Sequence, residues 1–292
     1  MLRLLFVAVL LLINGGVDAQ QLTSGSGGRA QKDEVLAAIP LQQLNPAVQN
    51  RVVDILQKAS LYRHLPKTAI QIDPDYMTFL CCYPEIIIEI WRLMEVTHMS
   101  AARTAPFTLS CSDGEGTEST VDLIYATDRM QIYVGEGTYE GPLLRRKIRG
   151  DCVIVIRTEH QAAANGANVA VCDLDFFLKI DNATAGFIAK TVHPLVGRTA
   201  DQNFVETLKF VERLNETTCK NGPGVQGMAH RLSALTPDVR DTFVEMAGLT
   251  YSRQQTRSLG VPVQANPIST QVAPTPVAPS SMSIGDSVRP SR

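Results

Sequence analysis

The chain of 292 residues has no apolar run long enough to cross a bilayer. Its longest, Leu4–Ile13, is ten residues, and a span takes about 20. It also has no long basic run: 27 Lys and Arg stand against 29 Asp and Glu, for a net charge of −2. That balance argues against nucleic acid or an anionic membrane as the main partner. No pair of its six cysteines has zinc-ligand spacing with a histidine nearby, and His98 and His160 have no ligand at suitable spacing, so no metal is expected. Ser110, Ser112 and Ser119 lack the context of a nucleophile elbow. Gly114-Glu115-Gly116 and Gly135-Glu136-Gly137 do not lead into a helix with a lysine, so neither is a phosphate loop. No cofactor is expected.

What is present begins with an address. Arg3 precedes the ten-residue apolar run, and Val17-Asp18-Ala19 places small residues at −3 and −1 of an Ala19–Gln20 bond. This is the pattern of a cleaved signal peptide over 1–19. A secreted or periplasmic mature chain with no transmembrane segment is therefore expected; an uncleaved anchor is the second reading. No Cys follows the cleavage point, so a lipid anchor is not expected. Composition, 45% hydrophobic and 19% charged, fits a folded protein.

Residues 20–32 read as a flexible Gly/Ser linker and 33–64 as a helical segment. Asn45-Pro46 is an N-cap with proline at the first helical position, followed by an apolar stripe of Val48, Val52, Ile55 and Leu56. Lys67–Ile72 reads as a short extended segment. Asp73-Pro74 opens another helix, and Pro84 a third that is apolar nearly all round and carries Trp91, the only tryptophan. Such a helix is sandwiched between layers rather than laid on a surface.

From about residue 96 the apolar period becomes two. Phe107/Leu109/Cys111, Val121/Leu123/Tyr125, Ile132/Val134, Cys152/Ile154/Ile156 and Cys172/Leu174/Phe176/Leu178/Ile180 each mark one strand face. Turn residues separate them, as at Ser112-Asp113-Gly114 and Asn165-Gly166. Cys111, Cys152 and Cys172 then read as buried thiols acting as small hydrophobes. Six cysteines in an exported chain also allow 15 disulfide connectivities, and spacing selects none. Helix returns near Asn182. Thr199-x-x-Gln202 reads as a capping box for a long helix with a Phe204/Leu208/Val211/Leu214 stripe. A helical hairpin over 220–252 and a Pro/Ser/Val-rich, disordered tail over 253–292 complete the chain.

The expected fold is α+β: a twisted antiparallel sheet of about seven strands over 65–219, covered by the long C-terminal helix. This element order resembles the helix-grip fold of START-like and polyketide-cyclase-like proteins. That resemblance implies an apolar ligand held between sheet and helix; no motif of the superfamily carries a site residue over. At closer range, LYRHLP, DPDYMTFL, GEGTYEGPLLRRKI and TVHPLVGRTADQNFVETLKFVE are similar to stretches of uncharacterised exported proteins of planctomycete bacteria. This implies an envelope or extracellular address and no activity.

Candidate site residues follow from the strand faces. Glu136 shares a face with Ile132 and Val134, and Arg146 with Leu144 and Ile148. If those faces are internal, Glu136 binds or protonates a ligand and Arg146 pairs with it or holds an acidic headgroup. A bulge at Gly135 or Gly137 would turn Glu136 outward, and a rim position would expose Arg146. These are the favoured alternatives, because a one-residue slip exchanges the two faces of a strand. Phe204 and Leu208 would line the apolar side of the same space. Asp173 and Asp175, at i and i+2, read as the wet side of the sheet. His193, before a proline, reads as a helix-end partner. Asn182 and Asn215 match a glycosylation pattern that a bacterial host rarely uses.

The expected function is a non-enzymatic binding module for a small apolar ligand. The alternative is a structural or interaction protein of the cell envelope, with the C-terminal tail binding envelope proteins. A cyclase- or hydrolase-like enzyme using Glu136 and Arg146 is the weaker alternative.

Overall fold

The computed structural model describes residues 28–141, 147–163, 167–181 and 198–258. Local chemistry starts its helices. Helix α1 spans Arg29–Ala38 and α2 spans Pro46–Gln57. Asn45 caps α2 by accepting a hydrogen bond from the Val48 amide at 2.9 Å, and Pro46 gives up no helical bond at the first position. Strands β1 (Leu61–His64) and β2 (Thr68–Gln71) follow. Asp73 caps α3 (Pro74–Cys82), accepting from the amides of Asp75 and Tyr76 at 3.1 and 3.3 Å. Helix α4 is Glu85–Leu93.

Six further strands then run as a meander: β3 (Ser100–Ala105), β4 (Thr108–Ser112), β5 (Thr117–Ala126), β6 (Met130–Tyr139), β7 (Ile148–Ala162) and β8 (Asn168–Ile180). Helices α5 (Arg198–Lys220), α6 (Gly222–Ala229) and α7 (Pro237–Ser258) close the described chain. Among the described residues the sheet has eight strands, all antiparallel, in the order β1-β8-β7-β6-β5-β4-β3. Strand β2 also pairs with β8, so β1 and β2 lie end to end along one edge of it.

Both faces of the sheet are covered. On the inner face Cys152, Ile154, Leu174, Phe176 and Leu178 meet Trp91 of α4, Phe204, Leu208 and Val211 of α5, and Phe243 of α7 in one apolar core. On the outer face Ile132, Val134, Val153, Val155 and Phe177 meet Val35 of α1 and Val52, Ile55 and Leu56 of α2. Trp91 is 1% exposed and stands edge-on to Phe210, with ring centroids 5.4 Å apart. Five neighbouring side chains of β8, Leu174 to Leu178, are buried without alternation, because the strand is roofed on both sides.

Several boundaries differ from the sequence reading. Eight strands stand where about seven are expected; the two that no segment of the sequence reading marks are β1 and β3. Helix α1 begins at Arg29, inside the stretch read as linker. Helix α5 begins at Arg198, one residue before the expected capping box. Helix α7 continues to Ser258, past the expected tail boundary at 253, because Arg253 is anchored to Asp73 and Asp75 at 3.0 and 2.6 Å. The signal-peptide residues 1–19, Arg146, Asn182, His193 and residues 259–292 lie outside the described residues.

Candidate functional site

The expected site residues do not share one space. Glu136 stays on the face of Ile132 and Val134, and the ladder runs through it without a bulge: it pairs with Thr120 on one side and Asp151 on the other. Gly135 keeps the ladder flat, since a Cβ there would stand 2.9 Å from the Cys152 sulfur. That face is the outer one, however, turned away from α5 and toward α2. Glu136 lies beyond the cover of the helix, its side chain 65% exposed, with Arg51 of α2 at 3.5 Å. It therefore does not line a space between sheet and long helix. The carboxylate is exposed as the bulge reading expects, but for a different reason.

Phe204 and Leu208 do lie between α5 and the inner face. They are 4% and 5% exposed and are part of the closed apolar core. The volume assigned to an apolar ligand is thus occupied by the side chains of Phe204, Leu208, Trp91 and Phe210 themselves.

The largest departure concerns Asp173 and Asp175. They are 4% and 0% exposed, not the wet side of the sheet, because α1 and α2 return over that face. Arg157, cross-strand from Asp173, donates from Nε to Asp173 at 3.0 Å and from one terminal nitrogen to Asp175 at 3.0 Å. Its other terminal nitrogen reaches Glu34 of α1 at 3.4 Å. His64 Nδ1 and the Tyr62 hydroxyl meet the same Asp175 oxygen at 2.9 and 2.8 Å. Burial pushes the Asp173 carboxyl up, against the opposing pull of Arg157. Burial, then the hydrogen bond to Asp175, raises the Tyr62 hydroxyl and keeps it a donor. Burial works to lower the Arg157 guanidinium, but the two carboxylates outweigh it and the group is held above its ordinary range.

An imidazole oriented by a carboxylate is the makings of a general base. Here the carboxylate is already shared among a tyrosine, a histidine and an arginine. His64 is itself buried, 8% exposed. The cluster ties β1, β7, β8 and α1 together.

Two surface clefts stand out among the described residues. One, of about 280 Å³, lies on the outer face past the end of α2 and includes Glu136, Thr120, Asp151 and Arg149. The other, of about 600 Å³, opens where the end of β2 and the start of β8 meet the C-terminal halves of α5 and α7. Asn168, Asn215, Cys219, Thr250, Arg253 and Gln255 are among its walls. Asn215 holds the site together: its carboxamide accepts from the Asp73 amide and donates to the Gln71 carbonyl, both at 3.3 Å. The carboxamide is 8% exposed and so committed, which removes it as a glycosylation acceptor. Arg253 spans Asp73 and Asp75, and Lys220 lies 3.5 Å from Glu216. Burial, then Asp73, raises the Cys219 thiol, so it is protonated at neutral pH. The Thr250 hydroxyl is buried and has no hydrogen-bond partner among the described residues.

No family model matches this chain, and no curated protein does. Among solved structures it is similar to an uncharacterised protein from Rhizobium leguminosarum, with 12% identity over 51% of this chain and 97% of that one and a TM-score of 0.29. It is also similar to the di-domain ARO/CYC BexL from the BE-7585A biosynthetic pathway, with 15% identity and a TM-score of 0.28. That match spans 64% of this chain and 60% of the other. At these TM-scores neither likeness assigns a fold or an activity.

Among the described residues no cluster of three or more His, Cys, Asp or Glu side chains could hold a metal ion. Nor is any described helix long and apolar enough to cross a membrane. The larger cleft was invisible in the sequence, since Asn168, Asn215 and Thr250 come from three distant elements and no spacing links them. The Asp173/Asp175 cluster left one trace, a polar residue at alternate positions of β8, which reads equally well as a solvated face.

Proposed function

We propose that the protein is an exported, non-enzymatic binding module that takes a small polar ligand in the 600 Å³ cleft between β2, α5 and α7. The observation that carries this is a cleft of about 600 Å³ walled by polar side chains from three distant elements, Asn168, Asn215 and Arg253 among them. That volume lies in the roughly 300–1,000 Å³ range of ligand sites. The export reading rests on the Arg3–Ala19 pattern, and the non-enzymatic reading on the commitment of His64 and Asp175 to structural partners. The sheet with α5 across its inner face fits a helix-grip arrangement. In this reading the grip is packed with the chain's own side chains and the ligand sits at its end.

The test is native mass spectrometry of the full chain purified from its own host. One co-purifying polar molecule per chain is expected, lost when Gln255→Trp fills the cleft. An apolar adduct that survives that substitution would move the site under α5. Adduct-free spectra together with binding partners captured through residues 259–292 would favour the second reading, an envelope interaction protein. The packing of Trp91 against Phe210 in a closed core is what speaks for that alternative.

A further inference from the structure

The cleft's charged groups narrow the ligand class, and the inference rests on the binding reading above. Its walls carry two carboxylates, Asp73 and Glu216, and three cations, Lys220, Arg253 and Arg257. Both carboxylates are engaged. Asp73 accepts from the amides of Asp75 and Tyr76 and is paired with Arg253, and Glu216 stands 3.5 Å from Lys220. Arg253 is held a second time, by Asp75. Arg257 alone of the five has no ion pair among the described residues.

Arg257 belongs to the face of α7 that builds the cleft. Thr250, Arg253 and Arg257 recur at three- and four-residue spacing along the helix, and all three are walls. Its field reaches Cys219 of α5, another wall: burial and Asp73 raise that thiol, and Arg257 is the leading influence against them. A guanidinium presents a planar fork of donors that matches two oxygens of one acidic group. A cationic ligand would meet three basic side chains and no unpaired carboxylate, and a neutral one would leave Arg257 unmatched. Only an acidic group supplies the missing counter-charge. We infer that the cleft between β2, α5 and α7 binds a small ligand through an acidic group, a carboxylate or a phosphate, that pairs with Arg257.

The full chain is titrated with inorganic phosphate, acetate and citrate, with glucose and spermidine as neutral and cationic comparisons, and binding is read by ligand-detected NMR. At least one of the three anions should bind, and more weakly as ionic strength rises, because Arg257 is exposed. Phosphate alone would select a phosphate group, and acetate or citrate alone a carboxylate. Arg257→Gln puts a good helix former at an exposed position, so it should melt with the parent and bind the anion about 10-fold more weakly. Arg257→Lys keeps the charge without the fork and should recover part of that loss. Anion binding unchanged in Arg257→Gln, or surviving Gln255→Trp, would be an adventitious ion only and would overturn the inference, as would silence of all three anions. Glucose or spermidine binding that Gln255→Trp abolishes would overturn the acidic assignment while leaving the cleft as a binding site. Silence of every probe, with Gln255→Trp changing nothing in the host-purified protein, would remove both.

Discussion

Replacing Arg157 by methionine should destabilise the fold by about 3 kcal/mol and make that loss pH-dependent. The substitution keeps most of the stem but leaves Asp173 and Asp175, 4% and 0% exposed, facing one another's charge without their shared guanidinium. Removing one partner of a buried ion pair costs roughly 3–5 kcal/mol. The lower end applies because Tyr62 and His64 still donate to Asp175, and Lys67 stands 3.7 Å from Asp173. For a domain of this size each kcal/mol lowers Tm by about 2–4 °C, so a drop of roughly 6–12 °C is expected. The sign of the pH effect follows from Asp173, whose carboxyl is already raised by burial and is restrained by Arg157. Without the guanidinium it rises further. A carboxyl with a raised folded pKa contributes its full stability below the unfolded pKa of about 3.9 and loses it as pH climbs through the folded value. The Tm deficit of the variant should therefore be largest near pH 7–8 and shrink toward pH 4. Adding Asp173→Asn should restore part of the loss at pH 7, since the uncompensated charge is gone. Thermal melts by circular dichroism from pH 4 to 8 decide it. A deficit under 2 °C at pH 7, or one that widens on acidification, would show that the cluster does not hold the outer face as described.

Leu208→Ala removes a side chain 5% exposed in the inner core and should cost about 2–5 kcal/mol by denaturant titration; a change within error would mean that α5 does not roof the sheet. Arg253→Leu leaves Asp73 buried without its cation and should lower stability by about 1–3 kcal/mol, read by the same titration. Burial pushes the Cys152 thiol up to about 12, so iodoacetamide at pH 8 should leave it unmodified in the folded chain and label it in urea; mass spectrometry after digestion would expose the opposite. Trp91, 1% exposed, should emit at a blue-shifted maximum that moves to the solvated wavelength only on unfolding.

The amino-acid sequence determined what depends on neighbours along the chain. Asn45 and Asp73 cap helices because a short side-chain oxygen three residues ahead of a free amide is enough. The alternation in β7 and β8 fixed which residues share a face, and those sets survive intact in the ladder. The all-round apolar character of α4 required it to be buried, and it is. Tertiary structure decided what each face meets. Alternation distinguishes two faces but not their surroundings, so Asp173 and Asp175 read as solvated until α1 and α2, from the other end of the chain, return over them. Nor does alternation say which face of β6 meets α5, and the face of Glu136 is the one turned away from it. The cleft is more remote still from sequence logic: Asn168, Asn215 and Thr250 are brought together only when β8, α5 and α7 pack, and no local periodicity encodes a meeting of side chains so far apart along the backbone.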